Sequence, residues 1–272
     1  MSIAEQPTET NENDAYGLAD LIAEQALMLG AGSTVFFQLA EKGVGLGVAE
    51  HSTTLQRPAD RLRTTMTYVY VMILGSEEER RAISKMVNRA HRTVRSPGRY
   101  TAFDPELQLW VAATLAHNGI FIHERIWGPP SREVRLRLYR DAQIFGNALQ
   151  VRPEQWPETL EEFDAYWEQK IAELEPDPAV QDFCHRLITQ GAPVWLRWMT
   201  PLQALLDRGN LDPHTREILG FEWTAKDQRR YDLFWRAFPP IYRRMPRRLR
   251  QFPARLTLWD MRRRMRTGAR VI

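Results

Sequence analysis

His91, Arg61 and Thr65 combine the residue types and the spacing that a bound group would need. His91 falls at i+4 from Val87 and i−3 from Val94, on the stripe Ile83, Met86, Val87, Ala90 and Val94, so helical periodicity points its imidazole inward. A buried imidazole is costly unless something engages its nitrogen lone pair or its N–H. A core carbonyl or a buried water would serve, and so would a metal or a haem iron held between helices. Periodicity leaves both readings open. Arg61 and Thr65 are i and i+4 on the preceding helix, adjacent on one side. A guanidinium beside a hydroxyl suits a propionate, a carboxylate or bound dioxygen. The plainer alternative is an arginine bonded to a loop carboxylate and a threonine bonded to its own backbone.

The elements that must position these side chains are helices. Pro58 and Asp60 start one that carries Leu62, Met66, Val69, Tyr70 and Ile73 on one face and closes at Gly75. Ser76 followed by Glu77, Glu78 and Glu79 begins the next: a capping serine with acids where the helix dipole favours them. The Ser96–Arg99 turn ends it. Asp104-Pro105-Glu106 starts a third, whose broad apolar face includes Leu107, Trp110, Val111, Thr114, Leu115 and Ile122, with Trp110, Thr114 and His117 along one side. Ser131 to about Phe145, Thr159 to Leu174, Ala179 to Gln190, Val194 to Leu206 and Asp227 to Phe238 read as further helices between proline breaks. Pro239, Pro240, Pro246 and Pro253 predict a broken C-terminal part with a final short helix from about Pro253 to Arg266. Convincing alternating strands are absent, so the fold class is all-α.

Several chemistries lack their residues. Gly43 to Ser52 follows G-x-G-x-G with no preceding strand, so it is no phosphate cradle; close helix packing or a turn explains it. His51, His117 and His123 have no metal-ligand spacing among themselves, and no nucleophile elbow occurs. One cysteine, Cys184, rules out a disulfide framework or a cysteine zinc cage and suits a reducing cytosol. Helix capping accounts for Asp104. Trp110, Trp127, Trp156, Trp167, Trp195 and Trp198 suit core packing, and also the walls of a pocket for a long apolar substrate.

The chain has 272 residues, enough for one large domain, and no run of apolar residues long enough to span a membrane. Residues 1–17 are polar and acidic and read as a flexible arm, 18–238 as the helical domain and 239–272 as a basic, proline-interrupted segment. The net charge of +3 conceals an asymmetry: from Arg229 onward fourteen arginines face only Asp232 and Asp260. Such a tail favours an acidic face of its own protein, an anionic membrane surface or, less readily for want of any motif, nucleic acid. Leu256, Leu258, Trp259, Met261 and Met265 can form a crude apolar side opposite arginines, as an interfacial helix would.

RLRTT (61–65) with the YVY that follows, then His91-Arg92-x-Val94-Arg95, then YTAFDPELQLWVAATL (100–115) resemble the MpaB-type oxygenase superfamily, which includes the bacterial rubber oxygenases. Asp104-Pro105-Glu106-Leu107-x-Leu109-Trp110-Val111 is the most specific part, and the similarity extends from about Leu18 to about Arg266. The resemblance implies an all-helical fold holding haem b, with His91 as proximal iron ligand and Arg61 and Thr65 in the vicinity of the pocket; Trp110 and Thr114, along one side of the third helix, are further candidates to contact the cofactor. It also implies dioxygen-dependent attack on an apolar, isoprenoid or lipid-like substrate. Position 64 is usually basic in the family, with lysine as the distal group of the rubber oxygenases; Thr64 can supply neither a cationic ligand nor a charged donor there. Ala112 stands where many members have histidine. The expectation is a cytoplasmic haem-dependent oxygenase, peripheral to a membrane through its arginines. A second reading is a non-catalytic helical protein that binds haem or lipid at an anionic membrane surface.

Overall fold

The computed structural model describes residues 16–190 and 194–272; the expected N-terminal arm, but for Tyr16 and Gly17, and the Trp195 side chain fall outside them. Spacings of three and four become helices, and the breaks fall at caps, glycines and prolines. Helix α1 (Leu18–Ala23) passes through a 3-10 turn into α2 (Ala31–Ala40), followed by α3 (Lys42–His51), α4 (Pro58–Leu74) and α5 (Glu77–His91). A small antiparallel hairpin, β1 (Arg95–Ser96) and β2 (Tyr100–Thr101), turns through Gly98 at φ +74°. The longest helix, α6 (Pro105–Trp127), then leads to α7 (Arg132–Ala142), α8 (Ile144–Asn147), α9 (Leu160–Ala172) and α10 (Pro178–Gln190). After a 3-10 segment come α11 (Thr200–Gly209), α12 (Pro213–Ile218), α13 (Ala225–Arg244), α14 (Arg247–Arg250) and α15 (Phe252–Thr267). The fold is all-α, as the periodicity indicates.

Local chemistry accounts for the boundaries. The Ser76 hydroxyl accepts from the Glu79 N–H while the Glu79 carboxylate accepts from the Ser76 N–H, a reciprocal capping box worth about 1 kcal/mol. Thr159 and Glu162 repeat it for α9, and Asp104 caps α6 by accepting from the Glu106 N–H. Gly43 to Ser52 is mostly helix α3, and its glycines serve close packing: a Cβ on Gly45 would lie 2.3 Å from the Leu39 carbonyl oxygen.

Two expectations change. Helix α13 runs unbroken through Pro239 and Pro240 to Arg244. Each proline removes one backbone donor, but Tyr231, Trp235, Pro239 and Tyr242 bury one face of the helix, and that packing holds it together across the missing bonds. The apolar side expected of the last helix is split in two. Leu258 and Met261 are buried against the body, whereas Leu256, Trp259 and Met265 are exposed.

Helix α6 runs through the centre. One side closes a core with α1, α4, α7, α9 and α15 around Val71, Met72, Ala113 and Tyr139. The other packs Trp110 against Phe36, Phe37 and Phe183 of α2 and α10. Its C-terminal turns meet α11 and α13 around Ile122, Leu206 and Tyr231. The arginine-rich end folds back on acids of the first third of the chain: Arg247 pairs with Asp20, Arg250 with Glu24 and Arg262 with Glu79.

Candidate functional site

Helices α4 and α5 are joined tightly at Gly75-Ser76 and pack against each other, so the first turn of α4 comes opposite the last turn of α5. That brings Arg61 to His91. His91 is half-buried, and its Nδ1 is buried with no hydrogen-bond partner among the described residues. Burial first, and then the nearby Arg61 guanidinium, hold its pKa below the ordinary histidine value, so the imidazole is neutral at pH 7. A neutral ring with an unengaged, buried nitrogen is a coordinating or hydrogen-bonding group without a partner. Leaving it unsatisfied costs about 1–3 kcal/mol.

Arg61 keeps considerable exposed surface while protein crowds its guanidinium. That crowding and the approach of Arg270 lower its pKa, and Asp60 opposes them. The side of the site next to Arg61 is therefore positive. Asp60 is committed elsewhere, at 2.6 Å from Arg63 and 3.3 Å from Arg57. Arg63 also donates to the Val271 carbonyl at 2.6 Å, which fastens the segment carrying Arg270 beside α4.

The other expected residues divide. Thr65 is exposed on the same side of α4 as Arg61, and its hydroxyl makes no hydrogen bond among the described residues. Thr64 is buried, and its hydroxyl donates back to the Arg61 carbonyl at 3.0 Å. Trp110 is fully buried; its Nε1–H donates to the Phe37 carbonyl at 3.0 Å and its ring stacks on Trp167. The buried Thr114 hydroxyl donates to the Val111 carbonyl and accepts from Gln38 Nε2. Neither retains a free polar atom for a ligand. Ala112 is buried where α6 meets α8, and the near approach of Gly146 leaves room for little more than a methyl group.

Residues that spacing does not single out also stand out. His117 stacks face to face on Trp167 at 3.7 Å, and burial pushes its pKa down to about 4. Its Nδ1 is buried without a partner, so α6 holds a second neutral histidine inside the Trp110–Trp167 stack. The only advance signal is its place along one side with Trp110 and Thr114. Asp207 is buried against the start of α2, and no local pattern reveals it.

Among the described residues no three His, Cys, Asp or Glu side chains converge to hold a metal ion. One axial histidine suffices for a metal carried in a macrocycle. An open cleft of 420 Å³ is lined by Glu77, Arg80, Lys85 and Asn147, at the start of α5 and not at its His91 end. No helix among the described residues is long and apolar enough to cross a membrane.

Residues 20–244 match the catalytic domain of the ER-bound oxygenase mpaB and rubber oxygenase family. The chain belongs to that family. The mpaB/rubber oxygenase match covers every helix from α2 to α13, and with them the hairpin that joins Arg61 to His91. Two mycobacterial proteins are similar over nearly all of the chain: the uncharacterized protein Rv2237 of Mycobacterium tuberculosis and the uncharacterized protein Mb2261 of Mycobacterium bovis. Each is 36% identical over 255 residues, covering 90% of this chain and all of the relative. No solved structure matches the chain.

Proposed function

We propose that this mpaB/rubber oxygenase family member is a haem b-dependent oxygenase acting with dioxygen on an apolar, isoprenoid or lipid-like substrate. The observation that carries the reading is the buried, unpartnered Nδ1 of a neutral His91 facing Arg61 across the α4–α5 hairpin. A neutral imidazole with a free nitrogen is the donor an iron needs, and a cationic wall beside it suits the propionates of a haem. The residues present therefore fit the group.

In this proposal His91 would hold the iron, and Arg61, with Arg270 near it, would hold the propionates through charge-assisted hydrogen bonds. Thr65 offers a free hydroxyl on the same side. The polar atoms of Trp110 and Thr114 are already bonded within the core, so these two residues would offer a ligand only apolar surface. Thr64 turns into its own helix and brings no charge to the site. Haem, when bound, supplies the dioxygen activation, and the protein supplies ligation, orientation and a dry apolar surface.

The purified chain supplied with haem should show a Soret band that His91→Ala weakens or shifts, whereas His117→Ala leaves it in place. A wild-type protein that remains colourless after haem supply would sink the proposal.

A further inference from the structure

Helix α15 carries two apolar stripes with the same i, i+4, i+7 spacing. Ala254, Leu258 and Met261 are buried in the core that α4 shares. Phe252, Leu256 and Trp259 are offset from them by two residues, about 200° around the helix, and are 55%, 48% and 55% exposed. Leu249, in α14, is exposed as well. Single exposed apolar residues are ordinary; a repeating stripe on one helix face is not.

The arginines around this stripe fall into two groups. Those directed at the body are engaged: Arg247, Arg250 and Arg262 with Asp20, Glu24 and Glu79. Those around the outer stripe are not: Arg248, Arg255 and Arg266 are exposed, and their guanidinium groups form no ion pair or hydrogen bond among the described residues. Arg263 lies over the Trp259 ring at 5.6 Å. The single acid of α15, Asp260, is taken by Arg263 and Arg264. The outer face thus combines a tryptophan, a phenylalanine and leucines with uncompensated guanidinium groups.

We propose that the outer face of α14 and α15 docks on the surface of an anionic phospholipid bilayer, with Phe252, Leu256 and Trp259 entering the interface and Arg248, Arg255 and Arg266 meeting lipid phosphates. Aromatic and leucine side chains bind the headgroup–acyl boundary, and arginines add attraction to anionic lipid. A second copy of the chain fits less well, because a two-fold pairing of this face would set unpaired arginines against one another. Nucleic acid would use the cations but leave Leu249 and Leu256 without a role.

The test is co-sedimentation of the full chain with phosphatidylcholine vesicles with and without phosphatidylglycerol. Binding is expected only with phosphatidylglycerol. It should fall at least about tenfold in Phe252→Ser/Leu256→Ser/Trp259→Ser and, separately, in Arg248→Gln/Arg255→Gln/Arg266→Gln. Brominated lipid gives a second readout on the unaltered chain: it should quench tryptophan fluorescence, and Trp259→Phe should remove most of that quenching. No binding to anionic vesicles, binding that both triple variants retain, or a concentration-dependent dimer that the serine variant abolishes would each overturn the proposal. So would salt-sensitive binding to mixed-sequence nucleic acid in place of vesicles. The surface does not depend on the haem reading: neither triple variant touches His91 or Arg61, and a haem spectrum should be the same in both.

Discussion

Asp207 fits into a slot that only a glycine leaves open. A Cβ on Gly32 would fall 2.2 Å from its carboxylate, and the same carboxylate accepts from Gln203 Nε2 at 2.7 Å and from the Ser33 backbone N–H. Burial raises its pKa from 3.8 to about 7, and these hydrogen bonds only partly oppose the rise. Because the folded pKa lies above the unfolded one, the folded state holds an extra proton between them. Stability from this group is complete below about pH 4 and declines as pH rises to about 7. Asp207→Asn should therefore flatten the pH dependence of urea unfolding between pH 5 and pH 8, where the unaltered chain weakens by a few kcal/mol. Gly32→Ala should cost about 1–3 kcal/mol at pH 5 by expelling the carboxyl group, and less at pH 8, where release of the ionised carboxylate to solvent offsets part of the loss. No spacing in the sequence links Gly32 to Asp207, because the contact joins helices far apart in the chain. His91 and Arg61 were legible as candidates because each obeys the period of its own helix. That they meet, and that Nδ1 is left unengaged, depends on how the two helices pair.

Helix starts could be read because a cap acts within four residues. The Ser76–Glu79 box is such a case, and Glu79 also accepts from Arg262 at 2.6 Å and 3.1 Å, so one side chain caps α5 and anchors α15. Ser76→Ala should lower stability by about 1 kcal/mol in chemical unfolding, and Glu79→Ala should cost more because it removes both roles. Pro239 and Pro240 mislead a local reading for the converse reason. Their penalty is local and visible, whereas the burial that outweighs it comes from α6 and α11. Gly45→Ala tests a third kind of feature, the close approach of α2 to α3. With Leu39 backbone in the way, it should destabilise by several kcal/mol, measured by thermal unfolding.

Across the whole molecule, the basic end is bound to the acidic beginning. Arg250 is the most deeply placed of these links: 3.0 Å from Glu24, which also accepts from the Tyr242 hydroxyl at 2.8 Å, with its guanidinium 5.5 Å from the Trp127 ring centre. Arg250→Ala should cost about 3–5 kcal/mol by leaving Glu24 buried without its cation, and pairing Arg250→Met with Glu24→Leu should recover much of the loss in urea unfolding. The charge asymmetry announced an arginine-rich end in search of anions; which arginines turn inward and which stay free is decided only by packing. Deleting everything after Pro239 would not isolate a membrane function, since it cuts α13 within its length and strips α15 from the helix that carries Arg61.

The pairing of α15 with α4 also sets an order of events during synthesis. A ribosome releases α4 long before α15 exists, so the apolar side that Ala254, Leu258 and Met261 will cover waits, unprotected, while eleven further helices are made. Until then the nascent chain carries a sticky surface on the helix that holds Arg61, a natural place for a chaperone to hold and a weak point for aggregation if translation stalls.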